Sequence, residues 1–351
     1  MVTKKNFWSG KKILITGHTG FKGSWLSLWL NYLGANLVGF SLDPEGPKSN
    51  YHQIQLSELM VSLRGDIRDK DFVDKTLKEY QPEIIFHLAA QSLVRKSYAD
   101  PISTFSTNVM GTANLLEAAR LSDSLKAIVL ITSDKCYQNL ETNRRFKETD
   151  PLGGHDPYSS SKACAELVSL SYRKSFLRDL NISIATVRAG NVIGGGDWAE
   201  DRLIPDLVRG IESEEKIKIR NPKAIRPWQH VLEPLSGYLG LARKLWNDDN
   251  YASAWNFGPN SKDERNVGWV ANYFLKKFQL KEMLTLDQEV NPPEAFYLKL
   301  DSKKAKTLLD WNPKWNLKIA LDETHYWYKE SFTTKNMQEF SLNQINKYQE
   351  C

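Results

Sequence analysis

The sequence predicts an α/β fold, a doubly wound parallel sheet carrying a smaller mixed α/β lobe. Three observations predict it. Short runs rich in β-branched residues alternate with longer helix-period segments over the first two-thirds of the chain. Those runs are apolar throughout, as strands buried on both faces of a parallel sheet must be. A glycine-rich turn, Gly17-His18-Thr19-Gly20-Phe21-Lys22-Gly23, joins the first run to the first helical segment.

Strands are expected at Lys12–Thr16, Asn36–Ser41, Met60–Arg64, Glu83–His87, Ala127–Thr132 and Ile182–Arg188. Helices are expected between them, at Phe21–Leu33, Lys70–Glu79, Pro101–Leu121 and Tyr158–Phe176. Asp100-Pro101 is a start signal, a capping side chain followed by proline at the first helical position. Past Gly190 glycine, proline and tryptophan become frequent and the segments shorten, with helices expected near Leu203–Ile211, Pro234–Trp246, Val267–Phe278 and Leu317–Lys329. Two domains follow, 1–190 and 191–351, with residues 220–260 expected to return strands and helices to the first.

Composition excludes several classes. Of 351 residues 41% are hydrophobic and 25% charged, which is globular rather than disordered. The 47 Lys plus Arg against 42 Asp plus Glu leave a net charge of +5 with no long cationic run, so an anionic small molecule is a better partner than nucleic acid. Cys136, Cys164 and Cys351 form no ligand or disulfide spacing, and His155 and His230 have no companion histidines, so no metal is expected. Met1 to Gly10 lacks the apolar core of a signal peptide, and no run approaches the roughly 20 apolar residues that span a bilayer. A cytoplasmic protein is expected.

The glycine turn has the spacing of a dinucleotide site. Glycine permits positive φ and close approach of a pyrophosphate, and the following helix N-terminus offers amide donors to it. Gly17, Thr19, Gly20, Phe21, Lys22 and Gly23 are the candidate cradle of this Rossmann-type domain. Asp43, 26 residues after Gly17, ends the second strand where a carboxylate accepts from the adenosine ribose and repels a 2′-phosphate. NAD is favoured over NADP, although Lys48 lies close by. Asp66-Ile67 and Leu88-Ala89-Ala90 follow the third and fourth strands at the edge where ligands bind in this architecture.

Tyr158 and Lys162 open a helix four residues apart and so share a face. An ammonium beside a phenol is expected to bring the tyrosine toward the working range of a base. The fifth strand delivers Ser133, Asp134 and Lys135 to the same edge. Two charged groups at a buried strand end are costly unless paired or used.

With these residues in hand, the chain resembles the extended short-chain dehydrogenase/reductases, the NAD-dependent epimerases and dehydratases, and within them the 4,6-dehydratases of CDP-glucose. The likeness runs from Phe7-Trp8 to about Trp315. It is carried by Thr16–Trp25, Ser106–Thr112, Thr132–Tyr137, Arg188–Trp198, Arg226–Val231 and Tyr297–Asp301. The Gly194-Gly195-Gly196-Asp197-Trp198 and Arg226-Pro227-Trp228-Gln229-His230-Val231 strings are more specific than any glycine fingerprint.

The resemblance implies a redox-neutral elimination. Tyr158 takes the sugar 4-hydroxyl proton with Ser133 sharing it, C4 is oxidised by NAD, water leaves across C5 and C6, and C6 is then reduced. Asp134 would protonate the departing C6 hydroxyl. Related dehydratases often carry a glutamate base next to that aspartate; here the position is Lys135, which serves as the C5 base only when unprotonated. Thr107 joins the cofactor set. Asn191, Arg202, Leu203, Arg226 and Trp228 would hold the nucleotide, and the Glu294-Ala295-Phe296 stretch departs from the family's ring residues. The resemblance further implies CDP-glucose as substrate, a homodimer joined by a four-helix contact of Pro101–Leu121 and Tyr158–Phe176, and a deoxysugar product destined for a cell-surface polysaccharide. Two other readings stand beside it. A 4-epimerase or reductase would use Tyr158 and Lys162 but not an acid at Asp134, and a non-catalytic nucleotide-binding module would need none of them.

Overall fold

The computed structural model describes residues 5–280, 282–288 and 295–351, so Glu294 lies outside the described residues. Seven strands form one parallel sheet: β1 (Lys12–Thr16), β2 (Asn36–Ser41), β3 (Val61–Arg64), β4 (Ile84–His87), β5 (Ala127–Ile131), β6 (Ser183–Ala189) and β7 (Ala254–Phe257). Their order is β7-β6-β5-β4-β1-β2-β3. The central strands are apolar on both faces because helices cover both: Ile13, Ile15, Phe86 and Val129 enter one core, and Leu14, Ile85 and Ile128 the other. The order reverses between β1 and β4, which puts the ligand crevice of a doubly wound sheet at their carboxyl ends.

Six strands lie where the sequence places them, within a residue or so at each end. The seventh comes from beyond Gly190, pairing Trp255 with Val187 and Asn256 with Arg188. The expected Pro101–Leu121 helix is interrupted: Pro101–Phe105 and Gly111–Arg120 are α-helical, with a π turn at Ser106–Met110 between them. π turns insert a residue without breaking a helix and re-aim side chains. Here Asn108 accepts from the Gln91 amide (2.8 Å) and donates to the Gln91 carbonyl (2.9 Å) and Ser161 (2.8 Å).

Past Gly190 short two-stranded pairs and helices build the lobe over the sheet edge. Gly195 packs so tightly against Trp327 that a Cβ would lie 1.9 Å from its ring. Trp327 in turn donates to Ser341 of the C-terminal helix Gln338–Glu350, an element the polar sequence did not announce. Val94–Ala99 is a second unannounced helix. None of the described helices is long and apolar enough to cross a membrane.

Candidate active site

A cavity of about 800 Å³ runs along the carboxyl edge of the sheet between the two parts of the chain. All the candidate site residues line it, from Asp43 and Asp66 at one end to Arg226 and Trp228 at the other.

The glycine turn is fixed by close backbone contacts. Gly17 has φ +76°, and a Cβ there would stand 2.7 Å from the Ala89 nitrogen. A Cβ on Gly23 would stand 2.1 Å from the Gly17 carbonyl oxygen. Only glycine lets β1, the following helix and the end of β4 meet so closely. The helix Phe21–Tyr32 starts at Gly20 with no side-chain cap, so its first-turn amides are left for an anion.

Asp43 is largely exposed and accepts from Arg64 Nε at 3.0 Å. Lys48 turns away to Glu212 (2.7 Å). Asp66 is held by Arg68, whose hydrogen bonds lower its pKa. The cap of helix Lys70–Tyr80 is Asp69, which accepts from the Phe72 amide (3.1 Å). An extended crevice, free helix amides and a carboxylate past the second strand fit a dinucleotide.

The chemistry-bearing groups gather at the end of β5. Ser133 caps the turn Asp134–Cys136 by accepting from the Lys135 amide, and donates to Asp134 Oδ1 at 3.1 Å. Asp134 Oδ2 has no hydrogen-bond partner among the described residues. Burial raises its carboxyl pKa to about 6, against the pull of Lys135, Ser133, Arg226 and Lys22. Lys22 itself falls to about 8, first through burial and then through Arg202.

Helix Pro157–Tyr172, capped by Asp156, brings Tyr158 and Lys162 to the same place. One expectation fails here. Lys162 does not lower the tyrosine: its ammonium donates to the Ile131 carbonyl (3.2 Å), and burial pushes Tyr158 up to about 12. Lys162 drops to about 8, through burial and the nearby Lys22. In this environment the cost of stripping water from a phenolate exceeds what a lysine turned to a carbonyl returns.

On the lobe side Arg226 is 5% exposed and donates to the Ile225 and Phe296 carbonyls. Trp228 is pinned by its Nε1 donating to the Arg265 carbonyl (2.9 Å). Asn191 lies in the loop that hydrogen-bonds Gln229, and Leu203 opens the helix Leu203–Ser213. Arg202 reaches Asp197 (3.0 Å) and Ser92 (3.0 Å), joining the two sides of the cleft. Arg95 and Arg220 also line the cavity and share one oxygen of Asp201. Sequence reasoning passed over both arginines, although a charged pair, Arg95-Lys96, following so soon after a buried strand was a signal.

Fold and site together define an extended short-chain dehydrogenase/reductase, with Ser133, Tyr158 and Lys162 at the edge of a dinucleotide crevice. The chain matches the family model described as GDP-mannose 4,6 dehydratase over residues 14–324, and it belongs to that family. It is 48% identical to CDP-glucose 4,6-dehydratase of Salmonella typhimurium over 350 residues, covering 98% of each chain. It is 27% identical to CDP-paratose 2-epimerase of Salmonella typhi, covering 90% of this chain and 98% of the other. Among solved structures it resembles dTDP-glucose 4,6-dehydratase from Bacillus anthracis in complex with NAD. That likeness has a TM-score of 0.77 and 25% identity, over 92% of this chain and 97% of that one.

Proposed function

We propose that this protein is a CDP-glucose 4,6-dehydratase, using NAD to convert CDP-glucose to CDP-4-dehydro-6-deoxy-D-glucose and water. The observation that carries the reading is Asp134, a buried carboxyl with a raised proton affinity beside Ser133, Tyr158 and Lys162. An epimerase or reductase expels no hydroxyl and has no work for such an acid. The 48% identity to a protein of that name supports the nucleotide.

Residues 1–190 form the NAD-binding domain in this reading, and 191–351 chiefly the nucleotide-sugar lobe. The amides of Gly17–Gly23 hold the pyrophosphate, Asp43 the adenosine ribose, Asp66 and Ile67 the adenine side, and Leu88, Ala89, Ala90 and Thr107 the nicotinamide half. NAD, when bound, supplies the oxidant for C4 and the reductant for C6. Tyr158, with Ser133, accepts the 4-hydroxyl proton, and Lys162 turns from the Ile131 carbonyl toward the phenolate and ribose. Asp134 protonates the departing C6 hydroxyl and Lys135 removes the C5 proton. Arg226 and Asn191 hold the diphosphate, while Arg202, Leu203 and Trp228 frame the base.

The working form is a homodimer. The helices Pro101–Phe105 and Gly111–Arg120, with the π turn Ser106–Met110 between them, pack on helix Pro157–Tyr172, and together they expose Ile102, Met110, Leu167 and, just beyond, Phe176. Apolar side chains on an adjacent helix pair are what a two-fold four-helix contact covers. The protein acts in the cytoplasm and supplies a deoxysugar to a surface polysaccharide such as a lipopolysaccharide O-antigen.

Proton NMR of the purified protein with CDP-glucose, and in parallel with UDP-, dTDP- and GDP-glucose, tests the reading. A C6 methyl doublet with CDP-glucose alone is expected. A methyl with another nucleotide overturns the specificity. No methyl from any of them, with NAD bound, replaces the dehydratase by an epimerase or a non-catalytic module.

A further inference from the structure

Beneath the site lies a charged pair that the reaction does not use. Glu166 stands one helical turn beyond Lys162, and its carboxylate and the Arg188 guanidinium are each 4% exposed. Arg188 Nε and Nη2 meet the two carboxylate oxygens at 2.8 Å each. Each oxygen also accepts from a threonine at 2.6 Å, Thr132 on one side and Thr186 on the other. The third guanidinium nitrogen donates to the Tyr137 hydroxyl (2.8 Å) and to the Glu148 carbonyl (3.3 Å). Tyr137 passes the chain on to Asn256 Oδ1 at 2.7 Å.

The connections have a pattern. Thr132 immediately precedes Ser133, and Tyr137 immediately follows Cys136, so the network grips the turn bearing Ser133, Asp134 and Lys135 at both ends. Glu166 belongs to the helix of Tyr158 and Lys162, and Arg188 to β6. Buried ion pairs add little stability over apolar residues of the same volume, because desolvation offsets the attraction. A pair satisfied on every side by groups flanking one short turn is better explained by the geometry it imposes.

We infer that Glu166 and Arg188 are positioning residues that lock the Ser133–Lys135 turn in register with Tyr158 and Lys162. The groups for C4 oxidation and those for elimination thereby address one bound sugar. This rests on the dehydratase reading above, and it extends that reading to residues that touch neither sugar nor cofactor.

Removing either charge strands the other in the core, so Arg188→Met risks the fold. Tyr137→Phe is the sharper variant. It keeps the ring, which stacks on Phe146 at 4.9 Å, and removes only the hydroxyl that ties the far end of the turn to Arg188 and to Asn256. Holoenzyme and CDP-glucose are followed by stopped-flow absorbance of reduced cofactor and by quenched-flow NMR of the methyl product. Tyr137→Phe is expected to keep KM and the rate of C4 oxidation and to form methyl about fivefold to tenfold more slowly, so that reduced cofactor accumulates. Thr132→Val, which cuts the near end, is expected to shift the same partition. A merely structural role lowers the active fraction and leaves the partition untouched, and that result in both variants overturns the inference. Failure of the wild-type protein to form any methyl overturns the dehydratase reading instead, so the two failures are distinguishable.

Discussion

Asp134→Asn is expected to make the protein more stable while disabling it. The carboxyl is buried and its pKa raised from 3.8 to about 6, so the folded state holds the proton more tightly than the unfolded chain. Below the lower value both states are protonated and the group is neutral to stability. As pH rises from there through about 6 the folded state loses ground, and above it the full penalty stands, about 3 kcal/mol. Asparagine keeps an oxygen to accept from Ser133 and never ionises, so it escapes that penalty. The gain is therefore about 3 kcal/mol near pH 8 and about half that near pH 5. Thermal unfolding of both proteins at the two pH values, with matched NAD, reads it as a rise of several degrees that is larger at the higher pH. With CDP-glucose the variant oxidises C4 but stalls, trapping reduced cofactor. Equal stabilisation at both pH values, or a loss near pH 8, would refute the account of a carboxylate strained by burial. Unimpaired methyl formation would remove Asp134 from the role of acid.

Other consequences are as direct. Tyr158→Phe is expected to abolish turnover while NAD binding stays within about twofold by fluorescence titration, as the loss of a proton acceptor and not of the cofactor's cradle would give. Gly23→Ala drives a Cβ into the Gly17 carbonyl, and NAD affinity falls by about tenfold or more with a lowered Tm. Arg226→Met raises KM for CDP-glucose by about 10- to 100-fold, the worth of charge-assisted hydrogen bonds to a diphosphate, with a smaller effect on kcat.

The parts of this molecule that could be read from the sequence are those where backbone geometry dictates residue type. Gly17 and Gly23 are glycine because a carbonyl or an amide stands where a Cβ would be, and their spacing was visible. Tyr158 and Lys162 share a face by helical periodicity alone. What escaped reading depends on three-dimensional surroundings. The pKa of Tyr158 answers to burial and to the direction in which Lys162 points, and neither is local. The π turn at Ser106–Met110 exists because Asn108 engages Gln91 and Ser161, partners distant in the chain. Glu166 looked like one more helix residue until Arg188, 22 positions on, was seen to meet it. The polar helix Gln338–Glu350 buries only a narrow stripe, Ser341, Gln344, Ile345 and Tyr348, too mixed to stand out.

The late arrival of β7 has a consequence for the order in which the chain is made. When residues 1–190 have left the ribosome, β6 is the outermost strand of an apolar sheet and its free edge faces water. Ala254–Phe257, which covers it, is more than sixty residues from being synthesised. Unpaired edges of this kind recruit other chains. The nascent protein must therefore delay closing its sheet, or be shielded, until the segment between has been laid over the crevice. Sealing the sheet therefore waits until the cavity-lining residues from Asn191 to Trp228 have been made, while Glu264–Asn266, which pairs with Ile225–Pro227, follows later still.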